Sequence, residues 1–386
     1  MPVPWRILMV DDDVEICEST KEYLEQSPLC AGEAPPIVEF ITEFSKAMEK
    51  LETERYDLLI LDIKLATGMP VPDEQVGIRV LDEIQQRRFI PVVFYTALPR
   101  HVDGLTTALI RVVSKAEKTS VLLTEISKIF QTRLPAVNRA LIRHLETIQR
   151  DYMWGFVTEN WDQLGDTPDR ASLAYLLARR LAISLSGPGM KQLLDDLGAQ
   201  EGLEAKDKVH PMKYYVMPPL ESSPVTGDLY QEATEQQTSY WVILTPLCDL
   251  TPHDGEVKAE QVLLAKCLLM TEQEEYKTWV AGNRNKKSQK PLESLIGNNR
   301  KDGTQPERYH FLPGVMSLPD LVVDFQAVKM VTYTQLNYPK TFKRLASLDS
   351  PFAECLLARF TRYYGRIGTP DLDIDIVLAK LKAANG

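Results

Sequence analysis

The chain predicts an α/β protein: a doubly wound parallel sheet of five strands, followed by a helical connector and then an α+β unit in which a small β-barrel is one arrangement. Three observations carry this. Before residue 133, short unbroken apolar runs alternate with amphipathic helical stretches, the pattern of parallel strands covered on both faces. The apolar runs stop abruptly at polar residues, as in "RILMVDDD". Beyond residue 133 the alternation gives way to helical spacing, and from about 205 to several strand-like segments before a closing helix. The expected units are therefore residues 1–132, 133–204 and 205–386.

The elements follow in order. "RILMV" is a β-rich apolar run, and "DVEICESTKEYLEQ" repeats apolar residues at helical spacing through Val14, Ile16, Cys17, Tyr23 and Leu24. "PIVEFIT" is strand-like, "FSKAMEKLETER" helical, and "YDLLILDIKL" a continuous apolar run ending in acid. The helix "GIRVLDEIQQRR", the strand "PVVFYTA", a short helical stretch near "VDGLTTAL", the strand "IRVVSKA" and the helix "SVLLTEISKIFQTR" complete the first unit. Two further helices are predicted beyond it, the second with Asp166 or Thr167 as cap and Pro168 in its first turn, and "GPGMKQLLDDLG" supplies a short third. Packing is the first expectation for their apolar faces.

At 386 residues the chain is long enough for two or three domains with real cores. Its 44% hydrophobic and 25% charged composition is that of an ordinary soluble protein. No apolar run approaches the ~20 residues that a membrane helix needs, and "MPVPWR" lacks the apolar core of a signal peptide, so a cytoplasmic protein without membrane contact is expected. The five cysteines (Cys17, Cys30, Cys248, Cys267, Cys355) are scattered and never form a CxxC pair, which argues for reduced, mostly buried thiols. Residues 1–130 hold 22 acidic against 14 basic residues, a net of −8 out of the chain's −10. So acidic a unit binds phosphate backbones poorly, and its acids are better suited to hold a cation.

In a doubly wound sheet, ligands bind where strands end at their carboxyl edge. Asp11 and Asp12 end the first strand, Asp62 the third, Thr96 the fourth and Lys115 the fifth, so five polar residues converge on one edge. Any one of them alone reads as a helix cap or a strand end; the joint pattern is the signal. Clustered carboxylates suit a hard divalent cation, Mg2+, whose charge offsets their repulsion. With the metal in place, an Asp62 oxygen can attack a phosphoryl group while the Thr96 hydroxyl and the Lys115 ammonium meet its oxygens.

This set resembles the receiver domain of two-component response regulators: "VDD" after strand one, "LILD" at strand three, "YTA" at strand four and a Lys after strand five, over about residues 5–132. The resemblance implies a flavodoxin-like fold with Asp62 as phosphoacceptor and Asp11 and Asp12 as the acidic pair. It also implies Asp12 and Asp62 as direct Mg2+ ligands, the Lys64 backbone carbonyl as third protein ligand, and Asp13 as a helix cap. The implied partner is a histidine kinase or phosphotransfer protein.

Three departures from the family pattern stand out. The loop after Asp62, "KLATGMPVPDEQVG", is expanded and delays the equivalent glycine to Gly77, as partner-contacting loops and plain insertions both do. The family's Lys-Pro pair is Lys115-Ala116. Where the family often carries an aromatic switch residue, the chain has Val112 and Val113. Phosphorylation is thus better supported than the conventional output switch.

The C-terminal unit offers weaker signals. "WVILTPLCDL" with "GDLY" resembles domains joined to receivers in bacterial conflict systems, and the architecture looks like the non-effector regulator of a Detocs-type antiphage system, which implies another receiver-containing effector as a second partner. Cys248, Asp249 and His253 hint at a nucleophile with a base, yet Cys248 follows an apolar strand and reads first as a core thiol. His210 and His310 carry no spacing signal. The stretch "NRNKKSQKPLESLIGNNRK", with Arg284, Lys286, Lys287, Lys290, Arg300 and Lys301, reads as a mobile solvated loop rather than a DNA contact, so nucleic acid is disfavoured as a partner. No phosphate loop, HExxH motif or nucleophile elbow appears. Two functions remain open: a phosphoacceptor that stores or drains phosphoryl groups, or an effector, DNA-binding or enzymatic, released by phosphorylation.

Overall fold

A computed structural model describes residues 3–30, 32–62, 76–161, 170–185, 208–220, 223–233, 238–253, 256–300, 306–338, 340–366 and 372–383. The chain divides into two compact units, Met1–Glu204 and Ala205–Gly386.

The first unit is built on five parallel strands, β1 (Arg6–Val10), β2 (Ile37–Ile41), β3 (Leu58–Leu61), β4 (Val92–Thr96) and β5 (Ile110–Ser114), in the order β2-β1-β3-β4-β5. The order reverses at β1, so the crevice beside β1 and β3 is the switch point at which such sheets take ligands. Alternate residues serve the two faces. Ile7, Met9, Leu58, Ile60, Val93 and Tyr95 pack under α1 (Val14–Glu25) and the helix Thr119–Gln131. Leu8, Val10, Leu59, Leu61, Val92 and Phe94 pack under α2 (Phe44–Thr53) and α3 (Val76–Arg87). This double burial explains why the strands read as unbroken apolar runs. The stretch near "VDGLTTAL" forms two single 3₁₀ turns, Pro99–His101 and Asp103–Leu105.

With Thr119–Gln131 as α4, a longer helix α5 (Leu134–Tyr152) follows almost at once and belongs to the same unit. Arg139 on α5 is clamped by Asp57, by the Val3 carbonyl at 2.8 Å, and by the Trp5 ring, over which its guanidinium lies 3.8 Å from the centroid. Helix α6 (Arg170–Ser184) meets α5 where His144 Nε2 lies 3.1 Å from the Ser184 carbonyl. The predicted cap of α6 and the short third helix lie outside the described residues.

The second unit is an antiparallel sheet of seven strands in the order β10-β11-β9-β8-β7-β12-β6, formed by β6 (Tyr215–Val216), β7 (Asp228–Ala233), β8 (Thr238–Ile243), β9 (Gln261–Leu269), β10 (Tyr309–Leu312), β11 (Leu321–Thr332) and β12 (Phe342–Leu348). Irregularities between Asp324 and Val328 on β11, and between Arg344 and Ala346 on β12, strengthen its twist. It is a half-barrel: β10 and β6 are its two ends, unpaired with each other among the described residues. The predicted strand "SYWVILTPLCDL" stops at Ile243, and Leu247–Leu250 is a single helical turn, α7.

The segment read as a mobile loop is instead mostly helical. Helices α8 (Glu274–Ala281) and α9 (Lys286–Ile296) form a hairpin, with the Asn285 side chain capping α9 through the Lys287 and Ser288 N–H groups. Pro291 inside α9 removes one helical donor, but Leu292 and Leu295, three apart, bury themselves against Phe311 and Val322 of the sheet and hold the helix. Charge and proline content concealed that apolar pair. A single-turn helix α10 (Tyr333–Leu336), helix α11 (Phe352–Tyr364), which covers the other face of the sheet through Leu356 and Tyr363, and helix α12 (Ile374–Ala383) complete the unit.

Candidate functional site

The carboxyl edge of the parallel sheet gathers the acids. The Asp11 amide donates to the Ile41 carbonyl and the Asp62 amide to the Val10 carbonyl at 2.9 Å, so sheet pairing continues one residue past the strands and fixes both acids at the edge. Asp13 starts α1 by accepting the Ile16 N–H at 3.1 Å, while its own amide donates to Asp11 Oδ1. This turn leaves Asp12 exposed beside the buried Asp11 and Asp62. One carboxylate oxygen from each of Asp11, Asp12 and Asp62 lies within 4.8 Å of the others.

Lys115 enters from the opposite side. Its amide donates to the Thr96 carbonyl, and the turn after it is closed by the Ser114 carbonyl and hydroxyl, which accept the Glu117 and Ala116 N–H groups. The side chain spans to the acids, with Nζ 2.7 Å from both Asp11 Oδ2 and Asp62 Oδ2. The two acids raise the Lys115 pKa even though burial works against its charge. Burial pushes the Asp11 carboxyl above its ordinary value despite Lys115 and the Asp13 amide. Asp11 Oδ2 has the ammonium close by but accepts no well-directed hydrogen bond.

Three carboxylates face one ammonium, a formal charge of −2. That excess of negative charge and the hard oxygen donors fit a divalent cation such as Mg2+. Thr96, fully buried at the end of β4, accepts the Leu98 N–H on its hydroxyl at 3.2 Å, which leaves the hydroxyl hydrogen free to donate. Lys64 lies outside the described residues, as does most of the expanded loop; α3 begins at Val76, so Gly77 falls in its first turn.

Sequence reasoning missed Cys17, whose buried thiol points at the Asp11 carbonyl at 3.6 Å and is pushed up to about 12 by burial, so it stays protonated beneath the acids. Its only signal was its place on the apolar face of α1. Val113 is buried in the core and Val112 packs partly buried on the opposite face, so neither position carries a ring that can swing.

The second unit's candidates do not assemble. Cys248 is exposed, not a core thiol, because α7 turns it outward after the strand has ended; its thiol faces Asp249 Oδ1 at 3.6 Å. His253 instead pairs through its backbone with Glu256. His210 accepts the Met212 N–H on Nδ1, and His310 is buried, held down at about 4 by burial and by Arg359. No described helix is long and apolar enough to cross a membrane.

Residues 7–127 match the family model of the response regulator receiver domain, and with the five-stranded parallel sheet this places a receiver domain at the N-terminus. Solved structures similar to the chain include a CheY-like response regulator receiver domain protein from Methanospirillum hungatei JF-1, at 27% identity over 33% of this chain and 93% of that one, with a TM-score of 0.26. The signal receiver domain of a putative Luxo repressor protein from Vibrio parahaemolyticus matches at 20% identity over 35% and 97%, with a TM-score of 0.28. Full-length FixJ from B. japonicum matches at 14% identity over 51% and 99%, also at 0.28. No curated protein matches the chain.

Proposed function

We propose that the protein accepts a phosphoryl group on Asp62 from the phosphohistidine of a partner kinase or phosphotransfer protein, in a Mg2+-dependent reaction. The observation that carries this is the Lys115 ammonium 2.7 Å from Asp62 Oδ2 within a cluster of three carboxylates. An Asp62 oxygen forms the O–P bond as the donor's P–N bond breaks, and the leaving imidazole takes up a proton from solvent. Lys115 is placed to move from carboxylate to phosphoryl oxygen, and the Thr96 hydroxyl donates to another. Asp11 and Asp12, with Asp62 and the Lys64 carbonyl, would hold Mg2+. When bound, the ion supplies the positive charge that lets an anionic phosphoryl group approach anionic acids.

The protein acts in this reading as a signalling or phosphate-buffering component rather than a released effector. Val112 and Val113 support this, since they offer no side chain to relay movement of Thr96. The resemblance of its architecture to the Detocs-type regulator extends the proposal to antiphage defence, with a second receiver protein as effector.

The test is the intact mass of the wild type and of Asp62→Asn after addition of an acyl-phosphate donor, with and without Mg2+. The expected result is one added phosphoryl group on the wild type alone and only with the metal; equal modification of both proteins refutes the assignment. Hydrogen exchange in residues 205–386 separates the two roles: no change on phosphorylation fits a buffer, and broad deprotection fits an effector.

A further inference from the structure

Helix α12 has no buried residue, and Leu372, just before it, together with Ile374, Ile376, Leu378 and Leu381, is between 45% and 72% exposed. So many large apolar side chains on ten residues are costly in water and mark a docking element. Its charges are polarised: Asp375 sits in the first turn, and Lys380 and Lys382 in the last. The same unit carries a groove along one stripe of α11, lined by Glu354, Leu357, Ala358, Thr361, Arg362 and Gly365, to which α12 of the same chain contributes no residue.

The two surfaces match. The α11 stripe has a small apolar centre with an acid at its N-terminal end and Arg362 at its C-terminal end; α12 has Leu378 between Asp375 and Lys382, seven residues apart and so on one face. At about 1.5 Å per residue, Glu354 and Arg362 are about 12 Å apart along their axis, and Asp375 and Lys382 about 10.5 Å. Antiparallel packing therefore sets Lys382 against Glu354 and Asp375 against Arg362. Glu307 approaches Arg362 only at 3.6 Å in a largely exposed pair, so Arg362 can take a second acid.

We propose that α12 docks antiparallel into the α11 groove of a second copy of the chain, reciprocally, to form a two-fold symmetric dimer. The nine residues between α11 and α12 span up to about 30 Å, enough to reach a neighbouring copy. An isologous exchange buries both helices and closes the assembly at two.

The test is sedimentation of the full chain over a concentration series. Wild type forms a dimer. Glu354→Lys and Lys382→Glu each place like charges at both symmetric contacts and weaken the dimer about tenfold, and Leu378→Asp abolishes it, all with unchanged circular dichroism. Mixing the two charge variants restores wild-type dimerisation, because in the mixed dimer one contact is the original pair and the other its exact reversal. A wild type that stays monomeric at every concentration, a dimer indifferent to all three variants, or a mixture no tighter than its components overturns the proposal.

Discussion

Each unit buries an acid beside a cation, and the two clusters are built to opposite ends. In the second unit Asp228, fully buried, receives Arg344 at 2.7 Å, the Ser347 hydroxyl at 2.6 Å and the Val225 N–H at 2.8 Å. One negative charge meets one positive charge, and both carboxylate oxygens accept hydrogen bonds. In the first unit Asp11 and Asp62 share one ammonium, with Asp12 adding a third negative charge nearby. Burial raises the Asp11 and Asp228 carboxyls alike, so a perturbed acid alone does not distinguish a site from a strut. Charge balance does: the closed cluster pairs its charges across a sheet, and the open one keeps an excess of negative charge.

Three substitutions sharpen that contrast. The largest effect belongs to Asp228→Asn, which removes the buried negative charge that faces Arg344 and costs about 3 kcal/mol or more in unfolding of the second unit, measured by denaturant titration, with phosphorylation of the first unit unchanged. Asp11→Asn has the opposite sign: it relieves repulsion and stabilises the metal-free first unit by about 1 kcal/mol while weakening Mg2+ binding by calorimetry. A loss of stability there would remove the contrast.

The pH dependence has a matching sign. Because the folded-state pKa of Asp11 lies above 3.8, the folded protein holds this proton more tightly than the unfolded chain. Its contribution is therefore lost as pH rises from 3.8 through the folded value. Metal-free stability should fall across that window in the wild type and less so in Asp11→Asn, as thermal melts in EDTA will read. Glu39 provides the smallest effect and the reverse slope. Lys50, against a lesser opposing effect of burial, and then Arg6 and Tyr56 hold it down at about 2, so its contribution is present above 4.5 and fades as pH falls through the folded value. Its side chain is about one-third exposed, and Glu39→Gln should cost about 1 kcal/mol or less.

What could be read from the sequence was whatever is local. Asp11, Asp62, Thr96 and Lys115 each stand at the end of the apolar run that becomes their strand, so strand ends and sheet topology are enough to place them on one edge. Asp228 and Arg344 stand 116 residues apart and meet only through the β7–β12 pairing, which no spacing announces. Arg139 gave no hint that α5 would be clamped to Asp57, 82 residues away. The α9 helix was hidden for a different reason: its lysines, asparagines and Pro291 read as a loop, and only tertiary burial of Leu292 and Leu295 outweighs that composition.

The most direct test of the open cluster is chemical trapping. After incubation with Mg2+ and an acyl-phosphate donor, borohydride reduces an aspartyl phosphate to homoserine, which peptide mass mapping places in the sequence. Homoserine is expected at position 62 alone, and only when the metal was present during phosphorylation. Homoserine at position 11 or 12, or an unmodified Asp62 with a donor that modifies the protein elsewhere, would contradict it.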